Sequence, residues 1–342
     1  MVPNIQPSLD FVVARLHGIM ANAIKGDALE KLAHSTTEEV LRRNLKSLGI
    51  DCKSRTDFHN FIYNREAERL EKVARLLPGR EAAFYRALQA RSYFDNVKLA
   101  LHWRYSRGER EAADLSFHIV QNMPQFNADA MKEAKDSHAF LISIPPYNSF
   151  NQQSLSAIIQ GLEESGDLML ADSEIDHAYF RQLWEAARGM RSSIGQEACR
   201  LLGIEIDIIN LTSLMRNALT YSFEPSAMYR LWLEHGWLYG RRELEELAKK
   251  GSLPEIRAAL HGKYARVLAN VGNDMHLVEN ALWEHFYQEA HHSFLAIENP
   301  RLCTAAYPFL VCFETLNLGR LYEGIYFGIP SHNILDIMLG VG

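Results

Sequence analysis

One pattern occurs three times along this chain and limits what the chain can fold into. In the middle copy, Glu205-Ile-Asp207-Ile-Ile-Asn210 leads into Leu211, Leu214, Met215, Ala218 and Leu219. Those apolar residues follow the i, i+3, i+4, i+7, i+8 series of one helix face. Arg216 sits inside the series. In the first copy, Asp95 and Asn96 precede Val97, Ala100, Leu101 and Tyr105, with Arg104 between them. In the third, Glu314 and Asn317 precede Leu318, Leu321, Tyr322 and Ile325, with Arg320 between them. Each apolar series begins one residue after its asparagine. The copies lie about 110 residues apart, near a third of the chain, which is the signature of one helical unit used three times.

Around these copies the sequence predicts further helices. A broad apolar face runs over Phe11–Ile24, and a short amphipathic helix over Asp27–Ala33. Ser35 and Glu38 have capping-box spacing ahead of a helix that Gly49 stops. Helices follow over 58–76 and, from Phe84, to Tyr105. In the second third, Gly108 opens a unit with a helix through Phe117, Ile119 and Val120, and Asn127–His138 is a short charged helix. Ile144-Pro145-Pro146-Tyr147 excludes helix, because neither proline donates and each restrains its neighbour. Leu155–Leu162 and Asp176–Met190 are helical. In the last third, helices fall over Ala227–Trp237, Arg241–Lys249, Leu253–Leu260 and Met275–Ile297. Pro300 and Pro308 bracket the approach to the last long helix, and Asn333–Leu339 closes the chain. Clean period-two alternation is nearly absent, and only Phe140–Ile144 resembles a strand. The expected fold is all-α, with three similar helical units over residues 1–108, 109–223 and 224–342.

Composition narrows the function. A hydrophobic fraction of 47% supplies a substantial core, and a net charge of −6 argues against a protein built to grip nucleic acid. Four cysteines show no Cys-x-x-Cys pairing and read as free thiols. The N-terminus lacks the basic start and apolar run of a signal peptide, and no apolar run reaches the length needed to cross a bilayer. There is no phosphate-binding glycine loop, no Gly-x-Ser-x-Gly and no His-Glu-x-x-His. The chemistry that does stand out is two Glu-x-x-His pairs, Glu174 with His177 and Glu289 with His292. Such i, i+3 pairs share a helix face and serve di-metal carboxylate bundles. With 14 histidines in the chain and no evident partner glutamates, a helical di-metal enzyme is the weaker alternative, and we expect no catalytic, cofactor or metal site.

For the repeated polar positions, the plain expectation is that Asp95, Asp207 and Glu314 suit helix N-terminal turns. The sharper one is that each asparagine and its nearby arginine form a hydrogen-bonded knot with a preceding helix of the same unit. A buried, half-satisfied polar group costs about 1–3 kcal/mol, so such residues persist between helices only when paired.

Several stretches together resemble the C subunits of the V-type (vacuolar and archaeal-type) rotary ATPases, called d subunits in eukaryotes. They are Phe11-Val-Val-Ala-Arg15 with Met20, Ile175-Asp176-His-Ala-Tyr179-Phe180, Glu205 to Leu211 with Arg216, His235-Gly-Trp-Leu238 with Leu244-Glu-Glu-Leu247, and Glu314-Thr-Leu-Asn317-Leu318 with Gly324, Gly328-Ile-Pro330 and Ile334. The family pattern places an arginine six residues after the asparagine. Arg216 fits it, whereas His102 and Glu323 stand there in the other copies, and Tyr221 replaces an expected glycine. The resemblance implies a non-catalytic rotor part: three helical units set as a pseudo-threefold funnel. Its wide cup would receive the central shaft. Its other face would sit on the membrane proteolipid ring of a complex that moves protons or sodium. It also implies a peripheral position on the cytoplasmic face and no cofactor.

Overall fold

The computed structural model describes residues 7–106, 117–120, 122–190, 192–221 and 223–341. Among them the chain is all-α, with no strand and one isolated bridge between Tyr147 and Phe150. Gly108 and the expected boundary beside it lie outside the described residues.

The N-terminal part holds α1 (Leu9–Met20), α2 (Asp27–Ala33), α3 (Glu38–Ser47) and α4 (Arg55–Ala74), followed by α5 (Gly79–Gln89) and α6 (Arg91–Tyr105). Ser8, Thr37 and Ser54 cap α1, α3 and α4 through their hydroxyls. The cap of α3 is therefore Thr37, not Ser35, which is buried and receives a hydrogen bond from Asn44. Gly49, at φ 81°, ends the turn beyond α3. The helix expected from Phe84 to Tyr105 breaks at Ala90 into α5 and α6.

Residues 117–120 are irregular, not helical. Two short helices follow, α7 (Ala128–Glu133) and α8 (Ser137–Ser143), where one was expected. The strand-like Phe140–Ile144 segment thus begins inside a helix that Asp136 caps. Next come α9 (Gln152–Ser165), α10 (Leu168–Gly189) and α11 (Ser193–Arg216), which ends in a π-turn over Asn217–Tyr221.

In the last third only α12 (Pro225–Met228) is helical within the expected 227–237 segment, and the rest is irregular. Then follow α13 (Arg241–Ala248), α14 (Leu253–Ala259), α15 (Gly262–Leu268), α16 (Met275–Phe294), α17 (Cys303–Tyr326) and α18 (Ser331–Asp336). Pro308 lies inside α17 instead of before it. Its missing N–H leaves the Thr304 carbonyl without a helical partner. The hydroxyl of Tyr85, from α5, donates to that carbonyl at 2.8 Å and repairs the defect.

Six positions around the molecule are held by long helices, α5 and α6 together filling one of them. Their packing closes on itself. α4 packs on α5, α5 and α6 on α10, α10 on α11, α11 on α16, α16 on α17, and α17 back on α4. One large core threads most of this circuit. A smaller one joins α2, α3 and α4 to the C-terminal half of α17 and to α18. α17 with its preceding turn is the one described helix long and apolar enough to cross a membrane, but 78% of its apolar 18-residue stretch is buried inside the protein, as suits a core helix.

Candidate functional site

The three asparagines make the same contact. Asn96 donates from Nδ2 to the carbonyl of His118 (2.9 Å) and accepts from its N–H (2.9 Å). Asn210 does so with Leu233 (2.9 and 2.8 Å), and Asn317 with Leu339 (2.8 and 2.9 Å). Each partner lies 22 or 23 residues downstream. The partner is a returning irregular segment, not the preceding helix that the sequence suggested. An amide side chain pairs with both backbone groups of one residue only where that residue is extended, since only then do its N–H and C=O point the same way. The clamp therefore accounts for the missing helix at 117–120 and the early end of α12. All three asparagines are buried, so water does not compete for these bonds.

The acidic residues beside them are not helix caps. Each lies in the body of its helix, because the apolar stripes belong to the later parts of longer helices. Asp207, fully buried, accepts from the N–H groups of Leu238 (2.7 Å) and Tyr239 (3.1 Å) and from the Tyr264 hydroxyl (3.0 Å). Burial pushes its pKa up to about 6 despite these bonds. Glu314 accepts from the Ile24 N–H (3.0 Å) and pairs with Arg65 and Arg69 of α4. Asp95 instead lines a central cavity, and burial raises its pKa.

The arginines take separate parts. Arg104 donates to the carbonyl of Ala134 at 3.1 Å. Arg320 donates to the carbonyl of Ile337, on the segment that Asn317 clamps. Arg216 forms a two-pronged pair with Glu279 of α16 (2.6 and 2.7 Å). Only Arg320 joins its asparagine's knot.

Sequence reasoning missed the role of the position six residues after each asparagine. There, Arg216 meets Glu279 of α16, His102 meets Asp172 of α10 at 2.8 Å, and Glu323 meets Arg55 (2.6 Å) and His59 (2.6 Å) of α4. In every copy this position joins the long helix to the next long helix around the circuit. Glu323 departs from the arginine pattern because the charges are exchanged across that contact, with Arg55 supplying the cation. The signal was present as a basic residue in the first turn of α4.

The position five residues before each asparagine carries Arg91, Glu205 and Cys312. These lie together in the central cavity, of about 350 Å³, lined from α4, α6, α11, α16 and α17. Arg91 pairs with one oxygen of Glu205 and donates to the Tyr179 hydroxyl at 3.2 Å. Glu66 and Asp95 complete the acidic lining. Burial raises the pKa values of both and of the Cys312 thiol.

The two Glu-x-x-His pairs do not meet. Glu174 lines an open groove between α9 and α10, and His177 contacts the Arg230 carbonyl at 3.2 Å. Glu289 is neutralised by Arg200 and Lys263, and His292 is exposed. Among the described residues no three histidine, cysteine or carboxylate side chains are grouped to hold a metal.

The class defined so far is an all-α protein whose buried polar groups tie chain segments to one another. Compared with family models, residues 12–337 match the ATP synthase (C/AC39) subunit family. The chain belongs to that family, the C and d subunits of V-type ATPases, which are accessory subunits of a membrane-associated complex. No individual curated protein matches it.

Proposed function

We propose that this chain is a non-catalytic rotor adaptor of a V-type ATPase or ATP synthase. It links the central shaft to the membrane proteolipid ring during proton or sodium transport, and it sits on the cytoplasmic face through protein contacts. Its three units, 1–108, 109–223 and 224–342, form a pseudo-threefold funnel. The observation that carries this reading, with the family membership, is the closed circuit of long helices bearing the same asparagine clamp three times. Torque passes through a part only if the part resists deformation. Close-packed helices are stiff, and clamps that bind each long helix to its own returning segment remove the remaining slack.

Affinity capture from native membranes tests this. The chain should bring down shaft and ring subunits together, and raised salt should release it from the ring, since wet, polar contacts between exposed charges are screened. Retention on the membrane through high salt by a lipid-inserted helix, or capture of neither partner, refutes it.

A further inference from the structure

The clamps and the pairs between long helices repeat three times around the circuit, but the centre does not. Arg91, Glu205 and Cys312, equivalent by their offset from the asparagines, differ in charge and chemistry. A collar with three equal inner settings would let a shaft slip by a third of a turn, whereas unequal settings fix one register. The unequal centre is also unfinished. Glu205 is 2% exposed and lines the cavity, and its Oε2 makes no hydrogen bond. A buried carboxylate oxygen left bare is costly.

The local charge is also unbalanced. Three carboxylates, Glu66, Asp95 and Glu205, face two guanidinium groups, of which Arg91 is engaged by Glu205 and Arg320 by the Ile337 carbonyl. The wall opposite is aromatic, from Trp283, Phe286, Phe309 and Phe313. Such a wall suits the aliphatic stem of a basic side chain and attracts its cationic head. The cavity, at about 350 Å³, has room for a long side chain.

We propose that this cavity is a keyed socket that takes one lysine or arginine side chain from the tip of the central shaft, pairing it with the free oxygen of Glu205 beside Glu66 and Asp95. This rests on the adaptor reading above.

The test measures binding of the purified shaft subunits of the same ATPase to the full chain, by surface-captured kinetics, with melting temperatures recorded in parallel. Removing one partner of a buried, hydrogen-bonded charge pair acts mainly on dissociation. Glu205→Gln should therefore weaken binding about 30-fold or more, chiefly by faster release. Because Glu205 also holds Arg91, the double variant Glu66→Gln/Asp95→Asn provides a second reading that leaves that pair intact, and it should weaken binding at least about threefold. Glu205→Lys should recover binding to a shaft whose tip cation is replaced by glutamate. Wild-type binding with unchanged affinity in the folded double variant and in Glu205→Gln overturns the socket and leaves the adaptor standing. If the wild-type chain does not bind the shaft, the adaptor reading itself fails.

Discussion

Replacing Asn210 with leucine removes the donor and the acceptor that hold Leu233, while keeping nearly the same side-chain size. Asn210 is 0% exposed and Leu233 4%, so neither backbone group of Leu233 can turn to water without local opening. Each orphaned buried group costs about 1–3 kcal/mol, which gives about 2–6 kcal/mol for the pair. Against this, a leucine at position 210 has no polar atoms to desolvate, so the lower half of that range is the better estimate. An unfolding entropy of about 2.1 cal/mol/K per residue amounts to about 0.7 kcal/mol/K for this chain. The melting temperature should then fall by about 3–6 °C, measured by scanning calorimetry. The Leu233 amide should also change from slow to fast hydrogen exchange while amides in the middle of α11 keep their protection. Asn210→Asp, which keeps the acceptor and loses the donor, should restore protection at the Leu233 N–H and only part of the stability. A melting temperature within 1 °C of wild type together with an unchanged Leu233 amide would refute the clamp as a source of cohesion.

Two further predictions concern single buried contacts. Tyr85→Phe strands the Thr304 carbonyl, with an expected loss of about 1–3 kcal/mol. Pro308→Ala supplies the missing helical donor, so in the double variant the loss from Tyr85→Phe should shrink by about 1 kcal/mol or more, and additive effects in chemical denaturation would contradict the repair. Asp207 has a folded pKa of about 6 against an ordinary 3.8. Its protonation therefore favours the folded state, a contribution present in full below pH 3.8 and lost as pH rises through 6. The difference corresponds to on the order of 3 kcal/mol. The stability of wild type relative to Asp207→Asn should consequently improve as pH is lowered from 7 to 5, and a difference independent of pH would contradict the assignment.

The sequence revealed what is periodic and hid what is not. The long helices were legible because their apolar faces repeat at helical spacing, and the three asparagines stood out as polar residues at one offset from those faces. Their partners were hidden because a clamped extended residue has no periodic mark. Met228, Leu231 and Trp232 even mimic an i, i+3, i+4 helix face over a segment that leaves the helix after Met228. The offset between Asp95 and its supposed counterparts shows the same limit. Asp207 and Glu314 each lie three residues before their asparagine, whereas Asp95 lies one residue before and faces the central cavity instead. Ser35 satisfies capping-box spacing without capping, because its burial and its bond from Asn44 depend on how α3 packs.

The positions that vary among the three copies carry as much information as those that do not. A contact between adjacent long helices needs opposite charges, not a particular residue on a particular side, so exchanging Arg216–Glu279 for Glu323–Arg55 preserves the joint. The asparagine has no such freedom. Where carboxyl groups are ionised, only a carboxamide offers a donor and an acceptor side by side to the N–H and C=O of one residue, and glutamine would place them about a bond length too far out. At the centre the constraint reverses. Three like charges lining one cavity would repel in a low dielectric, so a uniformly acidic or basic lining is unfavourable. Arg91, Glu205 and Cys312, which line one cavity, avoid that repulsion by being unlike.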